Sequence, residues 1–187
     1  ESNGDFTLST SSISWQQTGL TSGIVWDLAI NSQQHIFAGV GTDISSQSSL
    51  LISTDNGVTW SSTSLTNLPV INYNSGDQLI AITGSDRILV VAGTSIKISD
   101  DNGNTWSDAN MVTNYSWEYV QSIGIAPNGS IYAGRRQDFG CTTCGIFKST
   151  DGGDNFVEIT NGIPTSSGRL AIGVSGANPS GVYVLRA

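Results

Sequence analysis

Charge is scarce in this chain. Only 12% of its 187 residues are Asp, Glu, Lys or Arg, and just seven are basic against fifteen acidic, a net charge of −8. A nucleic-acid footprint needs clustered Lys and Arg, so seven scattered cations argue against such a partner. The acidic balance fits solubility outside the cell. Long apolar runs are also missing. Nothing approaches the ~18 apolar residues of a membrane span, and no signal peptide is visible at Glu1, so any leader is expected to be absent from this chain. No window carries a helical hydrophobic period. His35 is the sole histidine and opens an apolar stretch without a Ser or Cys partner in a recognisable motif. No Gly-rich phosphate loop appears; the 22 glycines punctuate turns instead. No cofactor or metal is expected.

Cysteine is limited to Cys141-Thr142-Thr143-Cys144. A redox pair and half a metal site are open alternatives. The redox motif normally opens a helix, no second Cys pair exists, and His35 is distant in sequence, which weighs against zinc. The preferred reading is a small disulfide between Cys141 and Cys144 that pins a loop tip in an oxidising compartment. Asn114-Tyr115-Ser116 and Asn128-Gly129-Ser130 match the glycosylation sequon.

Against these absences stands a threefold repeat. Ser53-Thr54-Asp55-Asn56-Gly57-Val58-Thr59-Trp60, Ser99-Asp100-Asp101-Asn102-Gly103-Asn104-Thr105-Trp106 and Ser149-Thr150-Asp151-Gly152-Gly153-Asp154-Asn155-Phe156 all read Ser-x-Asp-x-Gly-x-(Thr/Asn)-aromatic. The closing aromatics are spaced by 46 and 50 residues, and 45 residues before Trp60 lies Trp15, which ends an eroded copy. A period of this size signals stacked supersecondary units. A second signature precedes each box: Phe37-Ala38-Gly39, Val91-Ala92-Gly93 and Tyr132-Ala133-Gly134. Ser, Asp and Asn side chains bond nearby backbone N–H groups and stabilise tight turns. Gly57, Gly103 and Gly153 can take φ > 0. Trp60, Trp106 and Phe156 are expected to start the following strand and pack on the adjacent unit. Asp55, Asp101 and Asp151 therefore read as structural. A calcium role for Asp100-Asp101-Asn102 is weak, because the spaced carboxylates and distant Glu of an EF-hand loop are missing.

The boxes resemble the Asp-box, or BNR, repeat of sialidases, xyloglucanase-like glycosidases, sortilin-type receptor domains and secreted bacterial proteins. The resemblance covers nearly the whole chain and implies β-propeller blades; it does not specify an activity. The expected fold is all-β, built from four-stranded antiparallel sheets. Blade material at 1–18 precedes blades at 24–64, 78–108 and 119–160 and a partial blade at 168–187, all in one region. The expected strands are 25–30, 35–40, 49–53 and 59–64; then 78–83, 88–92, 95–99 and 105–107; then 120–126, 130–134, 145–149 and 155–160. About four blades' worth of strands is present. Propellers usually have ~4–8 blades, and the family implies six or more, so the region is expected to belong to a larger or self-assembled ring.

Antiparallel alternation sorts the links onto two faces. The boxes share one face with the short links 31–34, 84–87 and 127–129. The opposite face carries 41–48, 135–144 and the connectors 65–77 and 108–119. Binding residues concentrate on long loops over a rigid scaffold. Arg135, Arg136, Asp138 and Phe139, with Tyr115, Trp117 and Tyr119, are the candidate ligand contacts; Glu118, Tyr73 and Asp43 are further candidates. Arg forks read carboxylates, and exposed aromatics stack on flat apolar faces such as those of sugars. A sialidase-like pocket would need an arginine triad, a Tyr–Glu pair and an acid Asp, and the Phe/Tyr-Arg-Ile-Pro motif is absent. Arg87 belongs to the box face on this reading. An inverting glycosidase would need two carboxylates ~6.5–9.5 Å apart, and no such pair is legible. The resulting expectation is a non-catalytic, secreted or cell-surface propeller that binds a glycan or protein ligand, or assembles. The alternative is a fragment of a glycoside hydrolase.

Overall fold

A computed structural model describes residues 19–20, 24–41, 48–66, 68, 79–111, 118–137, 145–162, 170–178 and 181–186. No helix occurs among them. The first sheet contains β1 (Ile24–Ile30), β2 (Ile36–Gly41), β3 (Ser48–Ser53) and β4 (Ser61–Ser62), paired in chain order and antiparallel. The second repeats this order with β5 (Ile80–Ile82), β6 (Ile88–Ala92), β7 (Ser95–Ser99) and β8 (Ser107–Asp108). After it comes β9 (Asn110–Met111). The third sheet has β10 (Glu118–Ile125), β11 (Ile131–Gln137), β12 (Ile146–Ser149) and β13 (Asn155–Ile159), and β9 adds to its outer edge parallel to β13. A two-stranded sheet, β14 (Leu170–Val174) and β15 (Val182–Arg186), follows. These are propeller blades.

Period-two alternation explains why the sheets stack. On β6, Ile88, Val90 and Ala92 join Phe37, Leu50, Leu65 and Ile80 in the core between the first two blades. The intervening Leu89 and Val91 join Ile96, Ile98, Ile123, Ile131 and Phe156 in the core between the second and third. A middle strand is thus apolar on both faces because a neighbouring blade covers each. Every fully buried Leu or Ile contributes roughly 1.5–3 kcal/mol, so the stability of one blade is inseparable from its neighbours'.

The links from first to second strand are copies of one turn. Asn31, Thr83 and Ala126 donate their N–H to the carbonyl four residues on, at 3.1, 2.9 and 2.8 Å. The third residue after each is left-handed: Gln34 at φ 66°, Asp86 at 63°, Gly129 at 81°. The inner strands of blades one and three share another device. A bulge at Trp26 or Gln121 shifts the register, and the following polar side chain turns to the next blade. Asp27 Oδ2 accepts the N–H groups of Leu79 and Ile80 at 2.7 and 2.8 Å, and Ser122 Oγ accepts that of Ile172 at 3.2 Å.

Several strand expectations are corrected. The fourth strands of the first two blades are two residues each, shorter than 59–64 and differently placed from 105–107. Trp60 and Trp106 precede them rather than starting them; each indole N–H folds back to the carbonyl of Gly57 or Gly103 at 3.1 Å. The Val91-Ala92-Gly93 signature is out of phase with the other two. Gly39 and Gly134 pair with Leu50 and Ile146, the place held by Val91 opposite Ile96, whereas Gly93 turns the tight β6–β7 link at φ 66°. That link has no inserted residues, so the chemical motif drifted two positions along the strand.

Candidate functional site

The three boxes fold identically. In the first, the Ser53 hydroxyl donates to Asp55 Oδ1 at 2.8 Å and accepts the Gly57 N–H at 2.8 Å. Asp55 accepts the N–H of Thr59 at 2.8 Å and its hydroxyl at 2.6 Å. The second repeats this with Ser99, Asp101, Gly103 and Thr105 at 2.8, 2.9, 2.8 and 2.6 Å. The third substitutes Asn155 for the threonine, and its amide donates to Asp151 at 2.8 Å. These bonds, led by the Thr59, Thr105 and Asn155 side chains, hold the carboxyls of Asp55, Asp101 and Asp151 down to about 2. They are fully ionised at neutral pH, the opposite of what a general acid needs.

Each box is also a joint between blades. Two consecutive residues are left-handed: Asn56-Gly57, Asn102-Gly103 and Gly152-Gly153. The second glycine does more than permit φ > 0. A Cβ on Gly103 would meet Thr63 Cγ2 of the preceding blade at 2.8 Å, and one on Gly153 would meet Leu89 Cδ2 of the preceding blade at 2.5 Å. The segment leaving each blade then bonds the next box. Ser64 donates its N–H to the Gly103 carbonyl at 3.1 Å and Asn110 to the Asp154 carbonyl at 2.8 Å. Gly19 does the same to Gly57 at 2.8 Å, so closely that a Cβ there would lie 2.0 Å from the Val58 carbonyl oxygen.

The rest of the box face is similarly occupied. Arg87 Nε and Nη2 grip Asp100 at 2.7 and 3.0 Å, while Nη1 reaches the Gly152 carbonyl at 3.2 Å and Asp154 at 2.7 Å in the next blade. The Asp100 carboxylate, then Asp154, raise its pKa. Asn31 and Gln33 of blade one meet the Asn102 amide, and Ser32 donates to Asp86. Every aspartate among the described residues carries such a bond or ion pair. No group of three or more His, Cys, Asp or Glu that could hold a metal occurs among the described residues. No helix among them is long and apolar enough to cross a membrane. Asp27 and the Arg87 clasp were missed by sequence reasoning; an Asp inside the apolar run Val25-Trp26-Asp27-Leu28 was the available signal.

The candidate ligand contacts were expected on the opposite face. Residues 42–47, 69–78, 112–117 and 138–144 lie outside the described residues. So do Asp43, Tyr73, Tyr115, Trp117, Asp138, Phe139, Cys141 and Cys144. Two calls are corrected. The 135–144 loop is shorter than expected, because β11 continues through Arg135 and Arg136 to Gln137. Arg135 is buried, donates to the Thr94 carbonyl at 3.2 Å and stacks 5.8 Å from the Phe147 ring centre. It braces blade three against the β6–β7 turn and is no loop contact. Tyr119 stands on β10, half-buried, paired with Arg136 on β11. Tyr119 and Arg136 are thus register partners on adjacent strands.

Comparison with known proteins agrees on architecture. No family model matches the chain, and no curated protein does. Among solved structures, the GH74 xyloglucanase of Xanthomonas campestris aligns with a TM-score of 0.62 at 15% identity, over 79% of this chain and 24% of that one. An ancestral GH74 enzyme aligns with a TM-score of 0.57 at 21% identity, over 80% of this chain and 20% of its own length. A Dyadobacter fermentans protein of unknown function aligns with a TM-score of 0.50 at 17% identity, over 78% of this chain and 52% of that chain. The chain spans between a fifth and about half of these structures. At such identities the likeness is one of fold.

Proposed function

We propose that this chain is a non-catalytic propeller scaffold of the Asp-box type, secreted or displayed at a cell surface, which binds a glycan or protein ligand on the face opposite the boxes. One observation carries the reading: the polar groups of the box face are consumed in joining blades. The Asp carboxylates are locked in their turns, and Arg87 spans two blades. The longer links of the sequence are expected on the other face, beyond the strand ends where Tyr119 and Arg136 are register partners. Trp117, Tyr115 and Phe139 would supply stacking surfaces there, and Arg136 a carboxylate fork. Glycoside hydrolysis would need a pair of carboxylates free to act, and the described aspartates are committed to structure.

A glycan array and a peptide display library, probed with the same protein, test the reading and separate its two ligand classes. Trp117→Ala and Arg136→Ala are expected to abolish or weaken whichever binding is found, with the thermal midpoint unchanged. Binding that survives both substitutions, or is lost on altering Arg87, would move the site off this face.

A further inference from the structure

The dipeptide Asn-Gly occurs four times among the described residues, at Asn56, Asn102, Asn128 and Asn161. A glycine after asparagine opens the backbone to a particular reaction, because with no Cβ in the way its nitrogen can approach the asparagine carboxamide closely. The nitrogen loses its proton to water and bonds to Cγ, and ammonia leaves. Water then opens the cyclic imide at either carbonyl. The product is aspartate or isoaspartate; a water is consumed and an ammonia released. The four sites differ in whether that nitrogen is free. In the boxes it is not. Gly57 and Gly103 are buried and donate their N–H to Ser53 and Ser99 Oγ at 2.8 and 2.9 Å. The asparagine before each is held left-handed, at φ 60° and 58°. Asn102 is tied further by its amide, which accepts from Asn31 at 3.0 Å and donates to Gln33 at 3.1 Å. In the β10–β11 turn the Gly129 N–H donates to the Ala126 carbonyl at 2.8 Å, and Asn128 Oδ1 accepts the Ser130 N–H at 3.0 Å. Asn161-Gly162, just beyond β13, stands apart. Both residues are exposed, and a Cβ on Gly162 would meet nothing within 4 Å. Neither the Gly162 N–H nor the Asn161 amide is bonded among the described residues.

We infer that Asn161 is a modification site, converted spontaneously to aspartate and isoaspartate, and that the box serines hold Asn56 and Asn102 against the same reaction. Attack within a box must first break a buried hydrogen bond, so it waits on a rare local opening. At Asn161 no such bond stands in the way. The consequences differ as well. At Asn161 the reaction adds a negative charge to a chain already at −8, in an exposed turn with room for it. In a box, isoaspartate would lengthen the backbone by a methylene where no space is left: a Cβ on Gly103 would already stand 2.8 Å from Thr63 Cγ2. The third box has Gly152 at this position and carries no such asparagine. The box serine thus has an effect beyond shaping its turn, since the bond that fixes the glycine also withholds the attacking nitrogen. This inference stands on turn geometry and is independent of the ligand proposed above.

Peptide mapping by mass spectrometry tests it, on the whole chain incubated at mildly alkaline pH, folded in buffer and unfolded in guanidinium chloride. Unfolded, the four asparagines share the same following residue and are expected to deamidate at similar rates. Folded, Asn161 is expected to keep its unfolded rate. Asn56 and Asn102 are expected to slow by about tenfold or more, the factor for breaking one buried hydrogen bond before attack. Anion exchange of the folded wild type should show a more acidic species growing with time, and Asn161→Gln should abolish it. Ser53→Ala is expected to restore much of the lost rate at Asn56, while Asn102 in the same chain stays slow and reports that the fold is intact. The comparison of folded with unfolded wild type decides the matter whatever becomes of that variant. An Asn161 no faster than Asn56 in the folded chain would overturn the site. Box asparagines that react at their unfolded rates in the folded chain, or an Asn56 equally slow in folded Ser53→Ala, would overturn the role of the serine.

Discussion

Replacing Gly153 by Ala separates two reasons for a glycine in the box. Gly153 sits at φ 99°, and Gly129, in the β10–β11 turn, at 81°. Both substitutions force an L-residue into the left-handed region, at a cost of about 1–2 kcal/mol. They differ in surroundings. A Cβ on Gly129 meets nothing within 4 Å, whereas one on Gly153 falls 2.5 Å from Leu89 Cδ2 and 3.5 Å from Ile131 Cδ1. Leu89 is wholly buried between blades two and three and has little freedom to retreat. Overpacking of this kind adds about 1–3 kcal/mol. Gly129→Ala should therefore cost about 1–2 kcal/mol and Gly153→Ala about 2–5, within a total of roughly 5–15 kcal/mol for a domain. Urea unfolding followed by tryptophan fluorescence reads the difference as a lower midpoint at constant slope. Trimming Leu89 to Ala in the Gly153→Ala background should recover part of the loss, giving a coupling of about 0.5–3 kcal/mol. Equal midpoints for Gly129→Ala and Gly153→Ala would refute the reasoning: the box glycine would then serve backbone conformation alone, and the joint between blades would not press on it.

Two further outcomes follow from the same geometry. Asp55, Asp101 and Asp151 titrate at about 2 in the folded chain, below the ~3.9 of an unfolded Asp. Their stabilisation is fully present above pH ~4 and is lost as pH falls through 2, so the thermal midpoint should drop between pH 4 and 2, and replacing the three by Asn should flatten that limb; an unchanged slope would remove the boxes as its cause. Asp27→Ala strips the acceptor from the buried N–H groups of Leu79 and Ile80 and should cost roughly 2–5 kcal/mol, whereas Asp27→Asn, which keeps one oxygen, should cost less than half as much; equal losses in urea unfolding would mean that the carboxylate does not bridge the two inner strands.

The architecture was legible because the turn that builds it is written three times in side chains. Ser, Asp and Gly at fixed offsets are a local device, and local devices survive the loss of everything distant. Strand ends were less legible. Trp60 and Trp106 look like the start of a strand because aromatic residues favour strands, but the fold-back of each indole N–H onto its own box holds them outside the ladder. Arg135 misled for a different reason. An Arg-Arg pair beside a polar stretch resembles a loop, yet strand alternation buries one of the two among Phe147 and the Thr94 carbonyl. The bonds between blades were illegible altogether. Asp27 to Leu79, Arg87 to Asp154 and Ser64 to Gly103 join residues separated by 52, 67 and 39 positions, and no local pattern announces the partner.

These longer bonds change how the boxes should be understood. A turn that merely reversed the chain would need one left-handed residue and could point anywhere. Here the second and third boxes each present a side-chain-free glycine to the blade before them and a backbone carbonyl to the segment leaving that blade. The Asp ties down the loop so that the glycine and carbonyl stay in place. The recurring carboxylate is thus spent on geometry, and it holds the pitch from one blade to the next. The same bond recurs at Gly19, which donates its N–H to the Gly57 carbonyl of the first box. The packing of one blade on the next is thus set by the repeat itself.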